Sequence, residues 1–183
     1  MKKTSKNKPT WTDLKRQLAD LDRPALLGLI QDLYTACKNN QAFLHARFDL
    51  GGNVLEPYKK IIDRWVCPDV TCDQNSSIAK AKKAISDYQK AVGKPEGIAE
   101  LTVFYCECCT SLLGYCSVDD ESYYDAFERM FERALKTIVT LGLSEQNAFF
   151  ERLEHVRRNS HNWGWGIGDA LDDLMAEYGV IKA

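Results

Sequence analysis

At 183 residues the chain is long enough to bury a hydrophobic core without disulfides or a structural metal. Its formal net charge of -2 removes any global pull toward nucleic acid or an anionic membrane. With 45% hydrophobic and 27% charged residues the composition is that of a globular protein, which confines expected disorder to a basic, flexible N-terminal tail over residues 1–9 and leaves a single all-helical domain over residues 10–183.

The opening "MKKTSKNKPT" runs into "WTDLKRQLADLD", charged throughout, where a signal peptide needs an apolar core, so export is not expected. Thr10 with Asp13 has the pattern of a capping box, and Trp11, Leu14, Leu18 and Leu21 behind it recur at helical spacing, giving a short first helix. Asp22 caps a second, with Pro24 in its first turn and Leu26, Leu29, Ile30, Leu33, Tyr34 and Cys37 in one stripe; Asn39 and Asn40 are expected to end it. A third helix is expected over residues 41–49, anchored by Phe43, Leu44 and Phe48 and stopped by Gly51 and Gly52. Pro57 opens a fourth, with Leu55, Tyr58, Ile61, Ile62 and Trp65 in register, ending at the turn-like "CPDVTCDQN".

Ser76 or Ser77 caps a fifth helix with Ile78, Ala81, Ile85, Tyr88 and Val92 inward. The sixth, residues 95–115, is apolar almost all round, which marks it as the central helix; Glu96, Glu100 and Glu107 are expected on its wet side. Thr102, Glu107, Thr110 and Ser111 interrupt residues 101–116, leaving no membrane span there. A seventh helix carries Tyr123, Phe127, Met130, Phe131, Ala134 and Ile138 and stops at Gly142; Ser144 caps an eighth, and a ninth runs from Ile167 through Tyr178 to Gly179. No strand pattern appears. Short connections make consecutive helices antiparallel hairpins, so the expected fold is all-α: an irregular bundle or short superhelix of about nine helices.

Seven cysteines, an odd number behind no leader, predict free thiols in a reducing cytoplasm. Cys106, Cys109 and Cys116 share roughly one face of the sixth helix, and Cys67 and Cys72 sit in a loop. If any residues hold a metal it is these, but an apolar helix is the wrong place for a zinc knuckle, and the leading reading is core packing with no metal and no cofactor. His45, His155 and His161 share no ligand spacing, and Arg157 lies one residue too close to His161 for the arginine–histidine motif of helical HEPN ribonucleases. Basic runs at Lys2, Lys3, Lys6 and Lys8, at Lys80, Lys82 and Lys83, and at Arg157 and Arg158 are the basis for nucleic-acid binding as an alternative function. Asp119 and Asp120 read as a helix start, Asp172 and Asp173 as a solvent face.

The densest stretch is "HNWGWGIGD", residues 161–169. Gly164, Gly166 and Gly168 permit a tight turn and close backbone approach, while Trp163 and Trp165 supply large rings. The economical reading docks the last helix with Trp165 buried. Otherwise the stretch is a recognition site, and His161, Trp163, Trp165, Asp169, Arg157 and Arg158 are its candidate binding residues.

"HNWGWGIGDALDDLMAEYG", with "KAKKAISDYQKAVGKPEGIAELTVFYCE" and "YYDAFERMFERALKTIV", resembles a bacterial all-helical family catalogued as domain of unknown function 6155, over most of the chain after Thr10. Gly164, Trp165 and Gly166 fall where that family opens its final helix, and Ala84, Ile85, Ser86 and Asp87 where a helix precedes its central one; the cysteine enrichment departs from it. The resemblance implies a cytoplasmic bacterial helical protein and carries over no reaction or catalytic residue. The functional expectation is therefore a non-enzymatic protein–protein interaction domain. Its rivals are the nucleic-acid binder and an enzyme of unknown reaction or cysteine-based metal-binding module.

Overall fold

A computed structural model describes residues 8–72 and 74–180. The expected N-terminal tail lies, for residues 1–7, outside the described residues, and Lys2, Lys3 and Lys6 with it. Among the described residues there are nine α-helices, one 3-10 turn at Val70–Cys72 and no strand, so the chain is all-α. None of the helices is long and apolar enough to cross a membrane. Contacts divide the chain into two compact units, one ending at Leu44 and one beginning at His45.

In the first unit, α1 (Trp11–Ala19) starts on the expected capping box, Thr10 and Asp13 each bonding the other's backbone N–H. Helix α2 (Arg23–Ala36) starts on Asp22, whose carboxylate accepts from Ala25 N–H at 2.9 Å. It stops earlier than the asparagines. Cys37 is extended (φ -160°), and α3 (Lys38–Arg47) begins directly behind it, so Asn39 and Asn40 lie inside α3, not at the end of α2. Asn40 donates its side-chain amide to Leu33 O at 2.6 Å, which fixes the corner. Within this unit no residue between Lys8 and Leu44 is buried, and the apolar residues expected to form the stripes of α1 and α2 lie along those helices.

The second unit holds the core. Helix α6 (Pro95–Tyr115), apolar around its circumference, packs against α4 (Glu56–Val66), α5 (Ile78–Ala91), α7 (Glu121–Ile138) and α8 (Leu143–Ser160). Helix α9 (Ile167–Glu177) closes the unit against α7 and α8. Such a central helix needs small residues where its neighbours come closest: a Cβ on Gly97 would lie 2.0 Å from the Tyr88 hydroxyl. Tyr105, Phe127, Phe131 and Leu135 are fully buried around it.

Two helix ends differ from expectation. Gly142 does not stop α7, which ends at Ile138; it is the N-cap of α8, and its N–H donates to Glu145 Oε2 at 3.3 Å. Ser144, expected as that cap, lies inside the first turn. Glu100 and Glu107 do not mark a wet side either, because cations on α4 and α8 cover both.

Candidate functional site

The turn between α8 and α9 is built from the glycine-tryptophan stretch. His161 caps α8, and Trp165 (φ +62°) and Gly166 (φ +67°) follow one another in the left-handed region. For a bulky residue this conformation costs about 1–3 kcal/mol. The surroundings hold it: Ser160, buried, accepts from Trp163 N–H at 3.1 Å through its carbonyl and donates its hydroxyl to Arg157 O at 2.6 Å, and Ala170 N–H donates to Gly166 O at 3.1 Å.

The three glycines have separate roles. Gly166 supplies the left-handed N-cap of α9. Gly168 supplies clearance, since a Cβ there would lie 2.7 Å from His161 Nδ1 and 2.9 Å from His161 Cα. Gly164 faces open space.

Of the two tryptophans, Trp165 does not lie where it was expected. Trp163 is half-buried and packs on Phe127, ring centroids 6.3 Å apart. Trp165 is 53% exposed and is not buried between the last helix and the bundle. Its ring lies 6.2 Å from that of Tyr124, and the left-handed backbone carries it outward over α7 instead of inward.

Beside these rings lie two adjoining hollows that share Leu113, Asn162 and Trp163. One, of about 400 Å3, is lined by Tyr124 and Trp165 with Ser117 and Asp119; the other, of about 510 Å3, by Thr110, His155 and Asn159. Aromatic rings with amides, a hydroxyl and a carboxylate at their edges are the composition of a recognition surface. The polar groups that line the two hollows are the Thr110 and Ser117 hydroxyls, the Asn159 and Asn162 amides, the Asp119 carboxylate and the His155 ring.

Of the remaining sequence candidates, Arg157, Arg158 and His161 belong to a network of their own. Arg157 bonds both oxygens of Glu154 (2.7 and 2.9 Å) and also Asp172, and Arg158 Nε bonds Glu154 at 2.7 Å. His161 Nε2 lies 3.3 Å from Asp172 Oδ1. Asp172 is thus a cross-link between α8 and α9, where a solvated face was expected. The Arg157 hydrogen bond, ahead of burial, lowers the Glu154 carboxyl to about 2. Arg157 is held by carboxylates through all three of its nitrogens, whereas Arg158 is held through Nε alone and its side chain is 72% exposed. Asp169 stands exposed in the first turn of α9.

A second charged cluster was missed in the sequence. Arg152 of α8 bonds Glu107 at 2.7 and 2.8 Å and Glu100 at 2.5 and 3.2 Å, and Lys59 of α4 bonds Glu100 at 2.5 Å. Burial pushes the Glu100 carboxyl up, but Arg152 and Lys59 outweigh it and hold the group below its usual value. Two cations and two anions leave no net charge, so the cluster reads as a clamp joining α4, α6 and α8.

The candidate metal ligands do not converge. Cys72 is exposed on the 3-10 turn, Cys67 and Cys116 are half-buried, and Cys106 and Cys109 lie inside the core. Among the described residues no group of three or more His, Cys, Asp or Glu side chains is placed to hold a metal ion. Burial pushes the Cys106, Cys108 and Cys109 thiols up, the state of inert core cysteines. In the basic run of α5, Lys80 lies over the Trp65 ring at 3.6 Å and Lys83 pairs with Asp87 at 2.5 Å, while Lys82 is half-buried.

The class these features define is an all-α protein with an aromatic, polar-edged groove at a strained interhelical turn. Compared with protein-family models, with curated proteins and with solved structures, the chain matches none.

Proposed function

We propose that the chain is a non-catalytic interaction domain that binds another protein through the groove at the α8–α9 turn. The observation that carries this reading is Trp165, a large ring kept half-exposed on a left-handed backbone, stacked near Tyr124 at the mouth of the groove. Tryptophan and tyrosine are the residues that dominate protein interfaces, and strain at a surface position is retained where the position is used.

The cytoplasmic, bacterial setting and membership of the family named above belong to the same proposal. All seven cysteines are free, which supports a reducing compartment. Nucleic-acid binding is the second reading: Arg157 is engaged by Glu154 and Asp172 and Lys80 by the Trp65 ring, while Arg158 and Lys83 make one ion pair each at the surface.

The experiment is affinity capture from the lysate of the native cells, using the parent and Trp165→Ala as baits of equal thermal stability. A protein retained by the parent and absent from the variant is the expected result. Equal retention by both baits, or a gel shift on mixed DNA and RNA that weakens steeply with salt, contradicts it.

A further inference from the structure

We infer that the α8–α9 groove takes an arginine side chain of its protein partner, stacked on the groove's rings with its guanidinium on the Asp119 carboxylate; this rests on the reading of that groove as a recognition surface. Every group that lines the hollow of about 400 Å3 belongs to the second unit: Tyr124, Trp163 and Trp165 supply the rings, Ser117, Asp119 and Asn162 the polar edge. Tyr124 is buried and Trp163 packs on Phe127, so the core holds both rings in place, and Trp165 alone stands exposed.

Charge chooses the ligand. The two segments that meet at the hollow, residues 113–124 and 159–173, carry Asp119, Asp120, Glu121, Asp169, Asp172 and Asp173 and no lysine or arginine. Two of these carboxylates are engaged: Asp120 caps α7, accepting from Ser122 N–H at 2.9 Å, and Asp172 bonds Arg157. Asp119 is exposed, lines the hollow and, among the described residues, has no ion-pair partner. Burial, and behind it the Asp119 charge, hold the Tyr124 phenol above its usual value, which places that charge beside the ring. A site of this sign repels phosphates and carboxylates and attracts a cation.

The rings of the groove lack the cover that other rings of the unit have. Arg64 and Lys80 lie over Trp65, 4.5 and 3.6 Å from its centroid, Lys59 lies 5.0 Å from that of Phe104, and Arg152 5.7 Å from that of Phe149. Among the described residues no cation stands over Tyr124, Trp163 or Trp165. The negative face of an aromatic ring attracts cations, that of tryptophan most strongly. A planar guanidinium stacks on such a ring while its fork donates two bonds to one carboxylate, a geometry an ammonium does not have. Arginine, with tryptophan and tyrosine, also dominates the binding energy of protein interfaces.

The indole N–H signals of Trp11, Trp65, Trp163 and Trp165 in the full chain, followed by nitrogen-edited NMR, provide the test. The titrant is a blocked pentapeptide with one arginine between glycine pairs, compared with its lysine and citrulline counterparts, over about 0.1–20 mM. The arginine peptide should shift Trp163 and Trp165 saturably and leave Trp11 in place; the lysine peptide should bind more weakly and the uncharged citrulline peptide not at all. Asp119→Asn, isosteric and at the surface, should weaken the arginine peptide about tenfold, and Asp173→Asn should leave it unchanged. No shift at Trp163 and Trp165, equal binding of the citrulline peptide, or full affinity in Asp119→Asn overturns the inference. Choline binding more tightly than the arginine peptide also overturns it, and assigns the groove to a quaternary ammonium. A captured partner that is lost with Trp165→Ala but kept by Asp119→Asn overturns the arginine and leaves the groove standing, whereas one kept by Trp165→Ala overturns the groove itself.

Discussion

A Cβ on Gly168 would press on His161 backbone, whereas one on Gly164 meets nothing within 4 Å. Gly168→Ala should accordingly lower stability by about 1–3 kcal/mol, while Gly164→Ala should stay within about 0.5 kcal/mol of the parent by denaturant titration. Trp165 and Trp163 should separate in the same way. Trp163→Ala removes a ring packed on Phe127 and should cost about 2–4 kcal/mol. Trp165→Gly relieves a left-handed backbone at the loss of a surface contact, so its Tm should match or exceed the parent's. The cysteines divide by exposure. In the native protein Cys37 and Cys72 should react first with a thiol reagent, and Cys106, Cys108 and Cys109 only on unfolding, as read by mass spectrometry of the labelled chain.

At the scale of elements, α8 is held from two sides by arginines: Arg152 toward α6 and Arg157 toward α9. Arg152→Met strands Glu100 and Glu107 partly buried and should cost about 1–3 kcal/mol near pH 7. Glu100 and Glu154 ionise below the ordinary carboxylate value of 4.5, Glu154 at about 2. Groups with a depressed folded-state pKa add stability that is complete above their unfolded value and is lost as pH falls through the folded one. The parent should therefore lose stability between about pH 4.5 and pH 2, and Arg152→Met should lose less over that window, as measured by urea midpoints at each pH.

The elements themselves were legible because periodicity and caps are local. Asp22, Pro24, Pro57, Pro95 and Asp120 each stand where a helix opens. Helix stops were less so: Asn39 and Asn40 read as a break, yet the extended Cys37 just before them makes it. The site was half legible. Glycine and tryptophan marked the turn, but which ring goes inward depends on a left-handed φ at Trp165 that no residue type announces. Tyr124, Asp119, Glu154 and Asp172 join through packing between distant segments, and no spacing in the sequence links them. The Glu100–Arg152–Glu107 cluster was hidden for the same reason, each member reading alone as a solvated charge.

For the molecule as a whole, the chain carries a formal net charge of -2, and the surface proposed for recognition is the groove at the α8–α9 turn. The α8–α9 groove, aromatic at its centre and polar at its rim, is suited to a partner that comes and goes. The most direct measurement replaces Trp165 with a photoreactive phenylalanine analogue in the native cells, with Glu128 on the exposed face of α7 replaced in the same way as the control. Illumination should yield an adduct of defined mass from position 165 and none from position 128, and the adducted species should be a protein other than this chain. No adduct at position 165, or adducts of equal yield at both positions, would contradict the assignment of the groove as the recognition site.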